Sequence, residues 1–381
     1  MDFSVESRIV HAGTERAEGA PLAPPLLATS TYVSQGVPDN PARGYGRMGN
    51  PGWEAVEEAL GAIEDAGAVS FASGQAASMA LMLYLAEGRE RIVFPGDGYY
   101  NTRAMAVNLR PHGAEAMAVD LLDVDAVAAL LAEKPSVLWA ETPTNPLLRV
   151  ADLARLGEVA RSAGAPMVVD NTVATGLLQK PLDFGAVASL YSLTKTISGH
   201  SDVLGGAVVS RDEGLLTAVR NWRTAGGGIP GPFESWLVLR GMKTLPLRAE
   251  RQSANAQAIA EFLSRHPRVR AVYYPGTTTA TLDVAKAQMP GGFGPLLSFE
   301  LTGSDGGRGT AADGDAVVAA ARLIVPSTSF GGVESNWERR ARWTGETAPP
   351  SLIRLSAGIE PGADLIADIE QALRYLGNQP T

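Results

Sequence analysis

Val187-Ala-Ser-Leu-Tyr-Ser-Leu-Thr-Lys-Thr-Ile-Ser-Gly-His-Ser-Asp-Val-Leu-Gly-Gly-Ala-Val-Val209 reads as two apolar strands, Val187–Tyr191 and Gly206–Val209, joined by a polar loop. The loop sets Lys195 among hydroxyl groups and glycines. A lysine is costly to bury unless it gives up its charge or forms a covalent bond. Taken alone it would more often be an exposed loop residue, so its neighbours decide the reading.

Upstream, short apolar runs alternate with helical patterns. The runs are Ala68–Ala72, Arg91–Phe94, Glu115–Val119, Val137–Ala140 and Pro166–Val169. Ala76–Leu85, Asp123–Glu133 and Leu153–Ala163 lie between several of them, with Ala and Leu at helical spacing. Together with the two strands around Lys195, this predicts an α/β fold on a mostly parallel seven-stranded sheet. Ligands of such sheets sit beyond the carboxyl ends of the strands, where this sequence places its polar residues.

Residues 61–234 are read as the large domain and residues 235–381 as a smaller α+β C-terminal domain. The second contains helical Trp236–Arg240 and Pro246–Leu263, strands Val269–Tyr273, Leu296–Glu300 and Leu352–Leu355, and a final helix Ala363–Tyr375. Residues 1–60, with prolines at 21, 24, 25, 38, 41 and 51, are read as an extended arm. Gly303–Gly314 is read as a surface loop.

Composition narrows the function. A chain of 381 residues, 45% hydrophobic and 19% charged, is an ordinary globular protein with no apolar stretch long enough for a bilayer. Met1–Arg8 lacks the build of a secretory signal, so a cytoplasmic location is expected. The net charge of -9 disfavours nucleic acid. With no cysteine and four scattered histidines (His11, His112, His200, His266), no metal site is expected.

Two motifs mislead. Gly44-Tyr-Gly-Arg-Met-Gly49 fits G-x-G-x-x-G but follows a proline-rich stretch, not a strand. Ser192-Leu-Thr-Lys195 fits the S-x-x-K of serine acyl-enzymes, yet the S-D-N and K-T-G partners are missing. Three other elements suit pyridoxal phosphate (PLP) bonded to Lys195. Asp170 closes the strand of Val168-Val-Asp-Asn-Thr172 and can pair with a pyridinium nitrogen. Phe71-Ala-Ser-Gly-Gln-Ala-Ala77 runs from strand to helix and offers backbone N–H groups to a phosphate. Glu141-Thr-Pro-Thr-Asn-Pro146 brings Asn145 to the same rim.

These residues, with Tyr45-Gly-Arg-Met-Gly-Asn-Pro51, Gly199-His-Ser-Asp202, Ser329-Phe-Gly-Gly-Val-Glu-Ser335 and Leu352-Ile-Arg-Leu-Ser356, make the chain resemble the Cys/Met-metabolism PLP enzymes of the trans-sulfuration group. The resemblance covers nearly the whole chain. It implies an aspartate-aminotransferase-like fold of type I, with Lys195 bonding the cofactor and moving protons and Asp170 holding the ring nitrogen. It also implies that Tyr99 stacks on the ring, that Asn145 sits near the ring hydroxyl and the substrate, and that Gly74, Gln75, Ser192 and Thr194 hold the phosphate. Tyr45 and Arg47 would reach the phosphate of a neighbouring subunit, making the protein a homo-oligomer, a dimer at least and by expectation a tetramer. Arg354 would clamp the substrate α-carboxylate, assisted by Ser329.

The implied chemistry is α,γ-elimination on a small sulfur amino acid, giving 2-oxobutanoate, ammonia and a thiol. Many relatives that handle cystathionine carry an acidic residue immediately before the serine matching Ser329, whereas this chain has Thr328. A distal ammonium then lacks a partner, which favours L-methionine, with cystathionine γ-lyase and γ-synthase chemistry as alternatives. Two departures cut across this. Methionine γ-lyases place a cysteine where Asn101 stands, and Asn336–Trp343 lacks the family's Pro-x-x-Met-Thr-His pattern.

Overall fold

The computed structural model describes residues 3–33, 44–108, 113–303 and 306–375. Pro38, Pro41, His112 and part of Gly303–Gly314 fall outside these ranges. Every apolar run of the first half is a strand: β1 Gly67–Phe71, β2 Arg91–Pro95, β3 Glu115–Val119, β4 Ser136–Glu141, β5 Met167–Asp170, β6 Ala188–Ser192 and β7 Gly206–Ser210. They form one sheet in the order β1-β7-β6-β5-β4-β2-β3. β3, β2, β4, β5 and β6 run parallel, and β7 is antiparallel to both β6 and β1. The central strands are buried on both faces, which explains why they read as apolar runs without alternation. One face packs under helices that include Gly74–Ala86, the other under helices that include Val124–Glu133 and Leu153–Ser162.

A second sheet has the order β10-β11-β12-β9-β8, with β8 Val269–Tyr273, β9 Leu296–Leu301, β10 Val325–Pro326, β11 Asn336–Arg339 and β12 Ile353–Ser356. Here the alternation is clean. Leu297, Phe299, Leu301, Trp337, Ile353 and Leu355 pack into one core with the helices Leu245–Leu263 and Gly362–Tyr375. The opposite face therefore carries Arg354, whose cross-strand partners are Glu338 on β11 and Ser298 on β9.

The structure departs from the sequence expectations at three helices, of which Val5–His11 lies wholly inside the stretch read as an arm. Pro51–Glu64 begins inside the stretch read as an arm, started by Asn50, whose side chain accepts from Gly52 N at 2.8 Å, and by proline at the first turn. Ala311–Ala320 begins inside the stretch read as a loop, because Thr310 and Asp313 form a reciprocal capping box. Its alanines and glycine gave no amphipathic signal.

Candidate active site

Three neighbouring parallel strands end in polar residues: Glu141 on β4, Asp170 on β5 and Ser192 on β6. Beyond them lies a cavity of about 370 Å³. Gly74, Gln75, Tyr99, Asn145, Asp170, Ser192, Thr194, Lys195, Thr328, Ser329 and Arg354 all line it. The fold thus gathers residues spread over most of the sequence into one space. Of the residues given a site role from sequence, Tyr45 and Arg47 are not among its lining.

Lys195 follows β6 in a tight turn, its N–H on Ser192 O at 3.2 Å and its carbonyl accepting from Gly199 N at 2.9 Å. Buried Arg248 holds the far side of this loop through Thr196 O at 2.6 Å and Ile197 O at 3.0 Å. Gly331, with φ +85°, has to be glycine, since a Cβ there would lie 2.4 Å from Thr196 N. The C-terminal segment is thereby seated directly on the lysine loop. Lys195 Nζ donates to Ser329 Oγ at 2.6 Å and lies 5.4 Å from the centre of the Phe330 ring. Burial, and then repulsion from Arg354, lower its pKa to about 8.

At the opposite wall the helix Gly74–Ala86 points its N-terminus into the cavity, capped by Ser73 on Ala76 N at 3.1 Å. A Cβ on Gly74 would stand 3.1 Å from Ser192 Cβ, so the turn fits closely against the end of β6. Backbone N–H groups, the helix dipole and the Ser192 and Thr194 side chains make this an anion cradle.

Asp170 accepts from Thr172 N at 3.1 Å and Thr172 Oγ1 at 2.6 Å. Burial still raises its pKa from the ordinary aspartate value. Glu141, which the sequence reading quoted but gave no role, accepts from Tyr99 N at 2.7 Å and Asn145 N at 2.8 Å. One carboxylate thus sets the backbone of two site residues, while burial and then the charge of Asp170 push it well above its ordinary range. Its signal was a charged residue closing an apolar strand. Asn101, noted only as a departure, donates to the Tyr99 phenol at 2.9 Å.

Arg354 is held on three sides. Its Nη1 donates to Asn145 Oδ1 at 3.0 Å, and its Nη2 to Ser329 O at 2.9 Å and Glu338 Oε1 at 2.7 Å. Burial, and then Arg340, lower its pKa to about 10. Glu338, absent from the sequence reading, also takes Arg340 Nη1 at 2.7 Å, Arg342 Nη2 at 2.8 Å and Trp343 Nε1 at 2.8 Å. Burial opposes its ionisation, but Arg354, Trp343 and Arg340 outweigh that and hold its pKa below the ordinary value. Thr328 donates to the same carboxylate at 3.1 Å. The carboxylate missing from position 328 is therefore present beside it, already committed to three guanidiniums.

A family model described as Cys/Met metabolism PLP-dependent enzyme matches residues 6–374. The chain belongs to that family. Cystathionine gamma-synthase of Mycobacterium tuberculosis is 40% identical to it, with 96% of each chain covered. Among solved structures, apo CalE6, a methionine gamma lyase from Micromonospora echinospora, shares 40% identity at a TM-score of 0.89, covering 97% of this chain and 99% of that one. Cystathionine gamma synthase from Xanthomonas oryzae pv. oryzae, in complex with cystathionine, shares 36% identity at a TM-score of 0.90 over 99% of each chain. The fold is that of the type I PLP enzymes and the cofactor is pyridoxal phosphate. The residues present fit it: an anion cradle, a buried carboxylate that a cationic ring nitrogen would let ionise, and an amine of lowered pKa share one cavity. Among the described residues no cluster of potential metal ligands occurs and no helix is long and apolar enough to cross a membrane.

Because the Lys195 amine is neutral above about pH 8, the cofactor-free protein should react with the aldehyde of pyridoxal phosphate at a rate that rises with pH and levels off above about 8. Replacing Arg354 by Met removes a repelling charge and should move that midpoint upward. Stopped-flow absorbance measures both. A rise continuing unbroken to pH 10, as roughly expected for an ordinary exposed lysine, would contradict the assignment.

Proposed function

We propose that the chain breaks the bond between Cγ and its heteroatom in an L-amino acid, and that its sulfur substrate is L-methionine, released as 2-oxobutanoate, ammonia and a thiol. Bound pyridoxal phosphate supplies the electron sink that makes the Cα and Cβ protons acidic. Lys195 Nζ, whose pKa is lowered to about 8, takes and returns those protons. Asp170 holds the ring nitrogen, Tyr99 stacks on the ring, and Gly74, Gln75, Ser192 and Thr194 receive the phosphate. Arg354, with Asn145 and Ser329 beside it, holds the α-carboxylate and so fixes which Cα bond faces Lys195.

The observation that carries the substrate reading is the commitment of Glu338. A distal ammonium, as in cystathionine, would have to compete with Arg340, Arg342 and Arg354 for the carboxylate beside Thr328. The thioether of methionine asks for no such partner. A second reading, γ-replacement with an added thiol, is supported by the relatives named as synthases. It needs the same residues up to loss of the γ-substituent. Purified enzyme should convert methionine to 2-oxobutanoate with a kcat/KM about tenfold or more above that on cystathionine. Better turnover of cystathionine, or product only from an O-acylhomoserine plus thiol, would refute the methionine assignment.

We further propose a cytoplasmic homo-oligomer, a dimer at least and a tetramer by preference, built from an arm (1–60), a cofactor-binding domain (61–234) and a C-terminal domain (235–381). Tyr45 and Arg47 would serve the neighbour's site. In their own chain the Arg47 guanidinium lies 5.5 Å from the Tyr45 ring centre and donates to Thr224 O at 3.1 Å, away from the cavity lining. Mixing inactive Arg47→Ala and Lys195→Ala subunits should then restore activity, because some sites receive both intact groups. Hybrids that form without activity would mean that each chain completes its own site.

A further inference from the structure

Glu141 at the end of β4 and Asp170 at the end of β5 are register partners on neighbouring parallel strands, which lie about 4.8 Å apart, and both line the cavity. Glu141 is only 4% exposed. The donors to both carboxylates are neutral: the main-chain N–H groups of Tyr99 and Asn145 for Glu141, the N–H and hydroxyl of Thr172 for Asp170. The cations that line the cavity are turned elsewhere, Arg340 and Arg354 to Glu338 and Lys195 to Ser329. Two adjacent carboxylates thus share the ring end of the cavity with no ion pair among the described residues. Burying carboxylates without a cation is costly, and setting them side by side costs more, until a cation enters between them and the solvent. An N–H donor on each oxygen suits the ionised form of Glu141. Seating two main-chain N–H groups asks only for acceptors, whereas the place beside Asp170 adds a charge.

We propose that Glu141 is a second counter-charge for the ring nitrogen of the cofactor, beside Asp170. This rests on the pairing of Asp170 with that nitrogen and assigns the neighbouring carboxylate a part in it. Asp170 makes the contact, and Glu141 adds its charge without one, which favours a proton on the nitrogen and so the ring's capacity to accept electrons. Glu141 is a positioning residue as well. Through the Tyr99 N–H it seats the tyrosine of the ring site, and through Asn145, whose Oδ1 accepts from Arg354 Nη1 at 3.0 Å, it seats the substrate clamp. One carboxylate thereby serves the electron sink by its charge and the clamp by its hydrogen bonds.

1-Deazapyridoxal phosphate, which has C–H in place of the ring nitrogen, separates the charge from the fit. It and pyridoxal phosphate are each titrated into cofactor-free protein, with dissociation constants read from the change in protein fluorescence. The wild type should bind pyridoxal phosphate about a hundredfold or more tighter than the analogue. Glu141→Gln keeps the size and loses the charge, and it should lower that ratio about tenfold. A displaced Tyr99 or Asn145 backbone would weaken both compounds alike and leave the ratio as it was. Glu141→Asp, which keeps the charge on a shorter side chain, should hold the ratio within about threefold of the wild type. Asp170→Asn should lower it at least as far as Glu141→Gln does. A ratio lowered in Asp170→Asn but unchanged in Glu141→Gln overturns the role of Glu141 and leaves the Asp170 pairing standing. A ratio unchanged in Asp170→Asn overturns both. Equal binding of the two compounds by the wild type also overturns both, even where no variant folds.

Discussion

The contact between Lys195 Nζ and Ser329 Oγ joins the end of the large sheet to the edge of the small one, and the rest of the site is arranged around it. An amine taken out of water tends to lose its proton, and here the nearby Arg354 adds to that tendency. Ser329 meets the lysine with φ +77°, a left-handed conformation that a non-glycine residue adopts at a cost of about 1 kcal/mol or more. The structure holds it there through both ends: its hydroxyl takes the lysine and its carbonyl takes Arg354. One strained residue thus couples the amine proposed to move protons to the guanidinium proposed to orient the substrate.

Electrostatics divide the cavity into two ends. At the ring end, Glu141 and Asp170 are carboxylates raised by burial, suited to a cationic partner. At the substrate end, Glu338 is a carboxylate held ionised by guanidiniums. The same residue type serves opposite roles because Thr172 offers Asp170 only neutral donors, while Arg340, Arg342 and Arg354 offer Glu338 charge. Glu338 and Arg354 face each other across β11 and β12, so the clamp is oriented by strand register and not by a loop.

Most of the large sheet was legible because its strands are short apolar runs that end in polar residues, and Asp170 and Lys195 sit at such ends. Ser329 and Arg354 could be named only through resemblance, and the contact that joins Arg354 to Asn145, a residue the strand end already places on the rim, spans 209 positions of chain. Glu338 and Arg340 stayed hidden for a different reason. β11 has four residues, with a tryptophan as its one apolar residue, and period-two alternation needs a longer run to stand out. Three arginines give Asn336–Trp343 the composition of an exposed segment, yet Trp337, Glu338 and Arg340 within it are buried. Asn50-Pro51 is itself a start signal for the helix Pro51–Glu64, masked by the proline-rich stretch around it.

The central claim is that Lys195 alone carries the cofactor. Reducing cofactor-loaded protein with borohydride fixes the linkage, and mass spectrometry of the digested chain locates it. A single pyridoxyl group on the peptide that contains Lys195 is predicted. A label on another lysine, or spread over several, would contradict the account.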